Sequence, residues 1–273
     1  MFGAQFLFTQ EYKKEYGNDF LAMVVQSIVG GIVGFVSILI INGFSFGYTH
    51  FALVMSLLVF VNSKFCAFCS LKALGKINLT LYSVFMMLGG MVLPFVTGVL
   101  FFGEPLTWGK AICFVFIAAA ICMTLEKNDN KKGGAIYYIG IFIFNGLSGV
   151  LAKVYTALPF EKVDAAEYSV LCSLVNLVLS VALLWFARGV KRKLTGRAVA
   201  SLVGSGLLNK IANYWLLICL AVVPASAQYP FITGGTMVAS ALISYCTKQK
   251  PNKKELLSVG LSMAGLILLV LIP

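Results

Sequence analysis

Charge is scarce in this chain of 273 residues, and acidic charge most of all. Only 11% of the residues are charged, and Asp and Glu together number 10. Soluble domains carry about 25% charged residues, so the composition speaks against a water-soluble globule. The carboxylates are Glu11, Glu15, Asp19, Glu104, Glu126, Asp129, Glu161, Asp164, Glu167 and Glu255, and all fall between apolar runs or at their ends. None occupies the centre of a run. An exporter that trades protons for cationic drugs needs such a carboxylate, so that mechanism is disfavoured.

Enzyme chemistry is short of parts as well. His50 is the only histidine, so a two-histidine metal motif is excluded. There is no GxxxxGK[ST] loop to cradle a nucleotide and no GxSxG elbow. Gly146-Leu147-Ser148-Gly149 comes near the latter but lies inside an apolar run, where small residues serve close helix contact. The 7 cysteines sit within or beside apolar runs, and Cys66-x-x-Cys69 has no second pair nearby, so they read as small packing residues. Neither an enzyme nor a primary pump is expected, and no catalytic residue, metal or cofactor.

What the chain has instead is apolar length. Hydrophobic residues make up 60% of it. Apolar runs cover 20–42, 49–71, 78–102 and 108–125, then 135–157, 166–187, 198–220, 226–246 and 255–272. A helix crosses the hydrocarbon core with roughly 20 such residues and satisfies its own backbone there. The strands of a membrane β-barrel are only about 10 residues long and alternate in polarity, which these runs do not. The expected fold class is an all-α membrane protein.

The runs also keep a schedule. Adding 145 to the first four gives nearly the last four, and Gly89-Gly90 lands on Gly234-Gly235. Two repeats are expected, over 1–128 and 134–273, with a substrate path between them. The run at 135–157 has only a stump as its partner, Met1–Phe8. The expectation is therefore an incomplete first helix and about nine full transmembrane helices. Of the 21 Lys and Arg, 16 fall in alternate gaps, with the densest cluster between Arg188 and Arg197. Those gaps should face the cytoplasm and Pro273 the outside. The net charge of +11 thus belongs to membrane topology and not to nucleic acid.

Three lysines interrupt the apolar runs. Lys153 lies near the end of its run and can snorkel to the interface. Lys64 and Lys210 lie deeper, and 64 plus 145 is 209, so the two occupy nearly equivalent places. Charge within a span is costly and marks function by default. With Asn62, Asn213, Tyr214, Gln228 and Tyr229, and with Tyr82 and Ser83 near the start of the fourth helix, they form the expected substrate-binding set. Such a cavity suits an anionic solute. Two readings stand for Gly89, Gly90, Pro94, Pro230, Gly234 and Gly235: simple packing, or hinges beside the substrate. Gly30-x-x-x-Gly34 predicts close packing within the monomer and leaves a homodimer open.

Three segments resemble the drug/metabolite transporter superfamily, of the EamA type. Ser70-Leu71-Lys72-Ala73-Leu74-Gly75-Lys76-Ile77-Asn78-Leu79-Thr80 is similar to the family's link from helix 3 to helix 4. Leu88-Gly89-Gly90-Met91-Val92-Leu93-Pro94 resembles its helix 4, and Phe101-Phe102-Gly103-Glu104-Pro105-Leu106-Thr107 its acidic turn before helix 5. The resemblance covers essentially the whole chain. It implies two inverted five-helix repeats and a secondary transporter for a small metabolite, working by alternating access in a bacterial cytoplasmic membrane. Its expected partners are membrane lipid and a small-molecule substrate. The alternatives are an exporter of hydrophobic or cationic compounds and a membrane-embedded enzyme or scaffold. The stump and the outward C-terminus depart from the family pattern.

Overall fold

The computed structural model describes residues 1–17, 19–74, 79–123, 135–187, 193–246 and 253–272. The described residues form ten α-helices and a short 3-10 turn, with no strand among them. The helices are α1 (Phe2–Tyr16), α2 (Phe20–Ile41), α3 (His50–Leu74), α4 (Leu79–Phe101) and α5 (Trp108–Met123). They continue as α6 (Ala135–Ala157), α7 (Ala165–Leu184), α8 (Gly196–Val222), α9 (Ala225–Cys246) and α10 (Lys253–Leu271). Nine of the sixteen loop lysines and arginines used for the topology lie outside the described residues: Lys76, Lys127, Lys131, Lys132, Arg188, Lys191, Arg192, Lys248 and Lys250.

Helix starts follow the sequence schedule. From α2 to α7 the step is 165 − 20 = 145, and from α3 to α8 it is 196 − 50 = 146. From α4 to α9 it is 225 − 79 = 146, and from α5 to α10 it is 253 − 108 = 145. The caps repeat too. The Asp19 carboxylate accepts from the Ala22 amide at 3.1 Å, and Asp164, 145 residues on, accepts from Glu167 at 2.8 Å. Thr49 accepts from Ala52 at 3.2 Å, and Thr195, 146 residues on, from Ala198 at 3.2 Å. Each satisfies an amide that the helix itself leaves orphaned. α1 spans 15 residues, short of the roughly 20 needed to cross the hydrocarbon core.

Two compact units emerge, and neither is a sequence half. The first comprises Met1–Val61 and Leu158–Ile218; the second comprises Asn62–Ala157 and Cys219–Pro273. In the first, α2 packs along α7. Gly31 makes this possible, since a Cβ there would meet the Leu177 backbone at 3.0 Å. The Asn176 amide donates across the same contact to the Ser27 carbonyl at 2.8 Å. α1 joins through Tyr12 and Tyr16, which bury against Ala22, Ala198 and Leu202.

In the second unit α4 packs on α6 and α9, and α5 on α10. Gly89 lets α4 lie directly on the α6 main chain at Phe142. The Asn145 amide donates to the Met86 carbonyl at 2.6 Å. Met91, Cys113, Ile117 and Ala120 form a core closed by Leu261, Leu266 and Leu269 of α10. In both units, then, helices of matching schedule pack on one another: α2 on α7, α4 on α9, α5 on α10.

Outward faces are apolar rather than polar. On α2, Gly31, Gly34 and Ile38 are buried, while Ile32, Val36 and Ile40 are exposed. Among the described residues, five helical stretches are long and apolar enough to cross a membrane: Phe20–Ile41, His50–Ser70, Ile139–Ala157, Ala165–Leu184 and Gly196–Val222.

Candidate functional site

In the first unit the feature that stands out is Lys210 of α8. Its stem runs across α2 at Gly34, where a Cβ would come within 2.8 Å of Cδ and Cε and within 2.7 Å of Ser173 Oγ. Gly34 is thus the gap through which the stem passes. Ser173 is fully buried, and its hydroxyl donates to the Ser169 carbonyl at 2.8 Å. The Cys172 thiol is close enough to interact electrostatically with the lysine. Among the described residues no Asp or Glu pairs with Lys210. An ammonium at the centre of a span costs at least about 2.5–3.5 kcal/mol unless partners or water offset it.

Tyr214, one turn further along α8, packs against Ile38, Ala166 and Val170. It therefore shares the α2–α7 side of the helix with Lys210. Asn213 is exposed, and its amide donates to the Asn209 carbonyl at 2.7 Å. Asn209 in turn donates to Gln5 Oε1 of α1 at 3.2 Å, a link the sequence reading did not anticipate.

The other expected residues belong to the second unit. Asn62 is buried and joins α3 to α6, donating to the Phe144 carbonyl at 2.9 Å and to Ser148 Oγ at 2.8 Å. Lys64 is half-buried. Gln228 and Tyr229 are buried in the first turns of α9, and the Tyr229 hydroxyl donates to the Gly149 carbonyl at 3.0 Å. The side chains of Tyr82 and Ser83 lie outside the described residues. Lys64 and Lys210, alike in sequence placement, thus fall in different units.

The glycines and prolines divide by what surrounds them. A Cβ on Gly90 would come 2.8 Å from the Asn145 amide nitrogen. Pro94 abuts Gly149, whose other neighbour is the Tyr229 ring, so α4, α6 and α9 converge there. A Cβ on Gly234 would come 3.1 Å from the Ile117 side chain and 3.2 Å from that of Leu266, closer than ordinary contact. Pro230 is fully buried, and Gly235 opens onto an apolar groove of about 290 Å³ between α9 and α10.

Lys153 does more than reach towards the interface. Its ammonium lies 2.7 Å from Glu104 Oε1, and both side chains are largely buried. It also sits 5.7 Å from the centre of the Phe102 ring. Glu104 accepts from the Ala225 amide through Oε1 and from the Ser226 amide through Oε2, both at 2.8 Å. Burial pushes the Glu104 carboxyl up, but the Lys153, Ser226 and Ala225 hydrogen bonds outweigh it and hold the acid below its ordinary value. A lone acid two residues past the end of an apolar run, with a lysine inside a later run, was the available signal for this pair.

These features define an all-helical integral membrane protein. Its fold is shared with a solved structure described only as the crystal structure of a protein, at 17% identity and a TM-score of 0.79. That likeness covers 98% of this chain and 92% of the other. No family model and no curated protein sequence matches the chain.

Proposed function

We propose that the protein is a secondary transporter for a small polar or anionic metabolite, working by alternating access between two inverted repeats, 1–128 and 134–273. The observation that carries this reading is the recurrence of helix starts and caps at 145–146 residues, with matched helices packed on one another. An odd number of helices per repeat turns the second repeat over in the membrane. Repeats of this kind build a substrate path between mobile bodies. The EamA-type resemblance points the same way and implies a bacterial cytoplasmic membrane as the location.

Lys210 supports the anionic substrate class. It is a cation inside a span, without a carboxylate partner among the described residues, beside the Ser173 hydroxyl. The test is uptake and efflux in liposomes against a panel of carboxylates, phosphate esters, neutral solutes and organic cations. Saturable movement of an anion or polar metabolite is the expected result. Selective movement of hydrophobic cations would replace this reading with the drug exporter, and no movement of any class would remove it.

A further inference from the structure

We infer that Glu104 is a positioning residue that sets the first turn of α9, the turn that leads into Gln228 and Tyr229. The inference concerns the geometry of α9; only its consequence for transport rests on the reading of those two residues as substrate-facing. α2, α3, α7 and α8 are each capped by the residue just before them, Asp19, Thr49, Asp164 and Thr195. α9 is preceded by Pro224, whose side chain has no acceptor. Its carbonyl takes the Ala227 and Gln228 amides at 3.0 Å each. The Ala225 and Ser226 amides remain, and no carbonyl of their own helix can reach them.

Glu104 supplies the missing acceptor from 121 residues away, one carboxylate oxygen to each amide. A charged acceptor at a helix start also meets the positive end of the helix dipole. The turn around it is shaped for this. A Cβ on Gly98 would strike Glu104 Oε2 at 2.7 Å, and Gly103 takes a left-handed φ of 61°. Lys153 then ties the same carboxylate to α6. One helical turn away, Tyr229 bonds the Gly149 carbonyl of α6. Gly149 and Lys153 are four apart on α6, and Ala225 and Tyr229 four apart on α9. The two links are successive rungs between the same helices, and Glu104 fixes the outer one.

Hydrogen exchange on the full chain in lipid nanodiscs reads this directly. In Glu104→Gln the amides of Ala225 and Ser226 should exchange at least tenfold faster than in the wild type. The Asp19-capped start of α2 should not change, which separates a local release from general loosening. Lys153→Met keeps the carboxylate on the amides, so its exchange there should rise less than threefold. Should Glu104→Gln alone not fold, Glu104→Gln with Lys153→Met leaves no orphan ammonium, and it should exchange at least tenfold faster than Lys153→Met alone. Acceleration below threefold in the Glu104 variants overturns the inference. So does a Lys153→Met variant as fast as Glu104→Gln, because the ion pair and not the cap would then hold the turn.

Discussion

Lys153 and Lys210 sit in the two units of the molecule, each within a helix of apolar residues, and their surroundings could hardly differ more. In the second unit Lys153 meets Glu104 at 2.7 Å, and the acid is spent on two backbone amides besides. The Lys153 ammonium, both Glu104 oxygens and the two α9 amides are thus all partnered within the cluster. In the first unit Lys210 threads past Gly34 and Ser173 with no carboxylate partner among the described residues. A charge left in this condition is costly to keep. The difference teaches that depth in a span does not mark function by itself; what surrounds the lysine separates the two cases.

The comparison breaks most sharply at Glu104. Glu104→Ala leaves Lys153 unpaired and two α9 amides uncapped, and should cost about 3–5 kcal/mol of stability, read as thermal unfolding of purified protein. Lys210→Met removes no paired group and should leave the melting temperature unchanged or raised. Helix contacts come next. Gly89→Ala pushes a methyl into the Phe142 main chain, which cannot yield, and should cost about 1–3 kcal/mol. Gly34→Ala meets the Ser173 hydroxyl and the flexible Lys210 stem, side chains rather than main chain, and should cost less while displacing the ammonium. Equal losses of stability in the two glycine variants would contradict this distinction.

Acid should act through the same pair. The Glu104 carboxyl is held below its ordinary value of 4.5, so its stabilising contribution is complete above that pH. It is lost as pH falls through the lower folded value. Melting temperature should decline with acidification in that window, and Glu104→Gln should flatten the decline. The smallest effects concern the repeated caps. Asp19→Ala and Asp164→Ala should each cost about 1 kcal/mol, and by similar amounts if the two helix starts are equivalent.

Much of the fold was legible because lipid imposes length. Runs of about twenty apolar residues gave the helices, and their spacing anticipated helix starts to within a few residues. The recurrence at Asp19 and Asp164, and at Thr49 and Thr195, was present in the sequence but hidden by low identity elsewhere. What spacing could not supply was partnership across the chain. Glu104, Lys153, Ala225 and Ser226 meet only in three dimensions. Asn62 is a second instance: its amide is engaged by Phe144 and Ser148 of α6, more than eighty residues away. Lys64 and Lys210, which spacing gives nearly equivalent places, belong to different units.

The central claim is that Lys210 engages an anionic or polar solute during transport, and Lys210→Met in proteoliposomes tests it most directly. The substrate would be whichever compound the wild type accumulates from the metabolite panel, with reconstitution and melting temperature matched between the two proteins. The account predicts that Lys210→Met loses most of that transport while staying folded, with Lys210→Arg retaining part of it because the charge is kept. Transport by Lys210→Met at the wild-type rate would contradict the account.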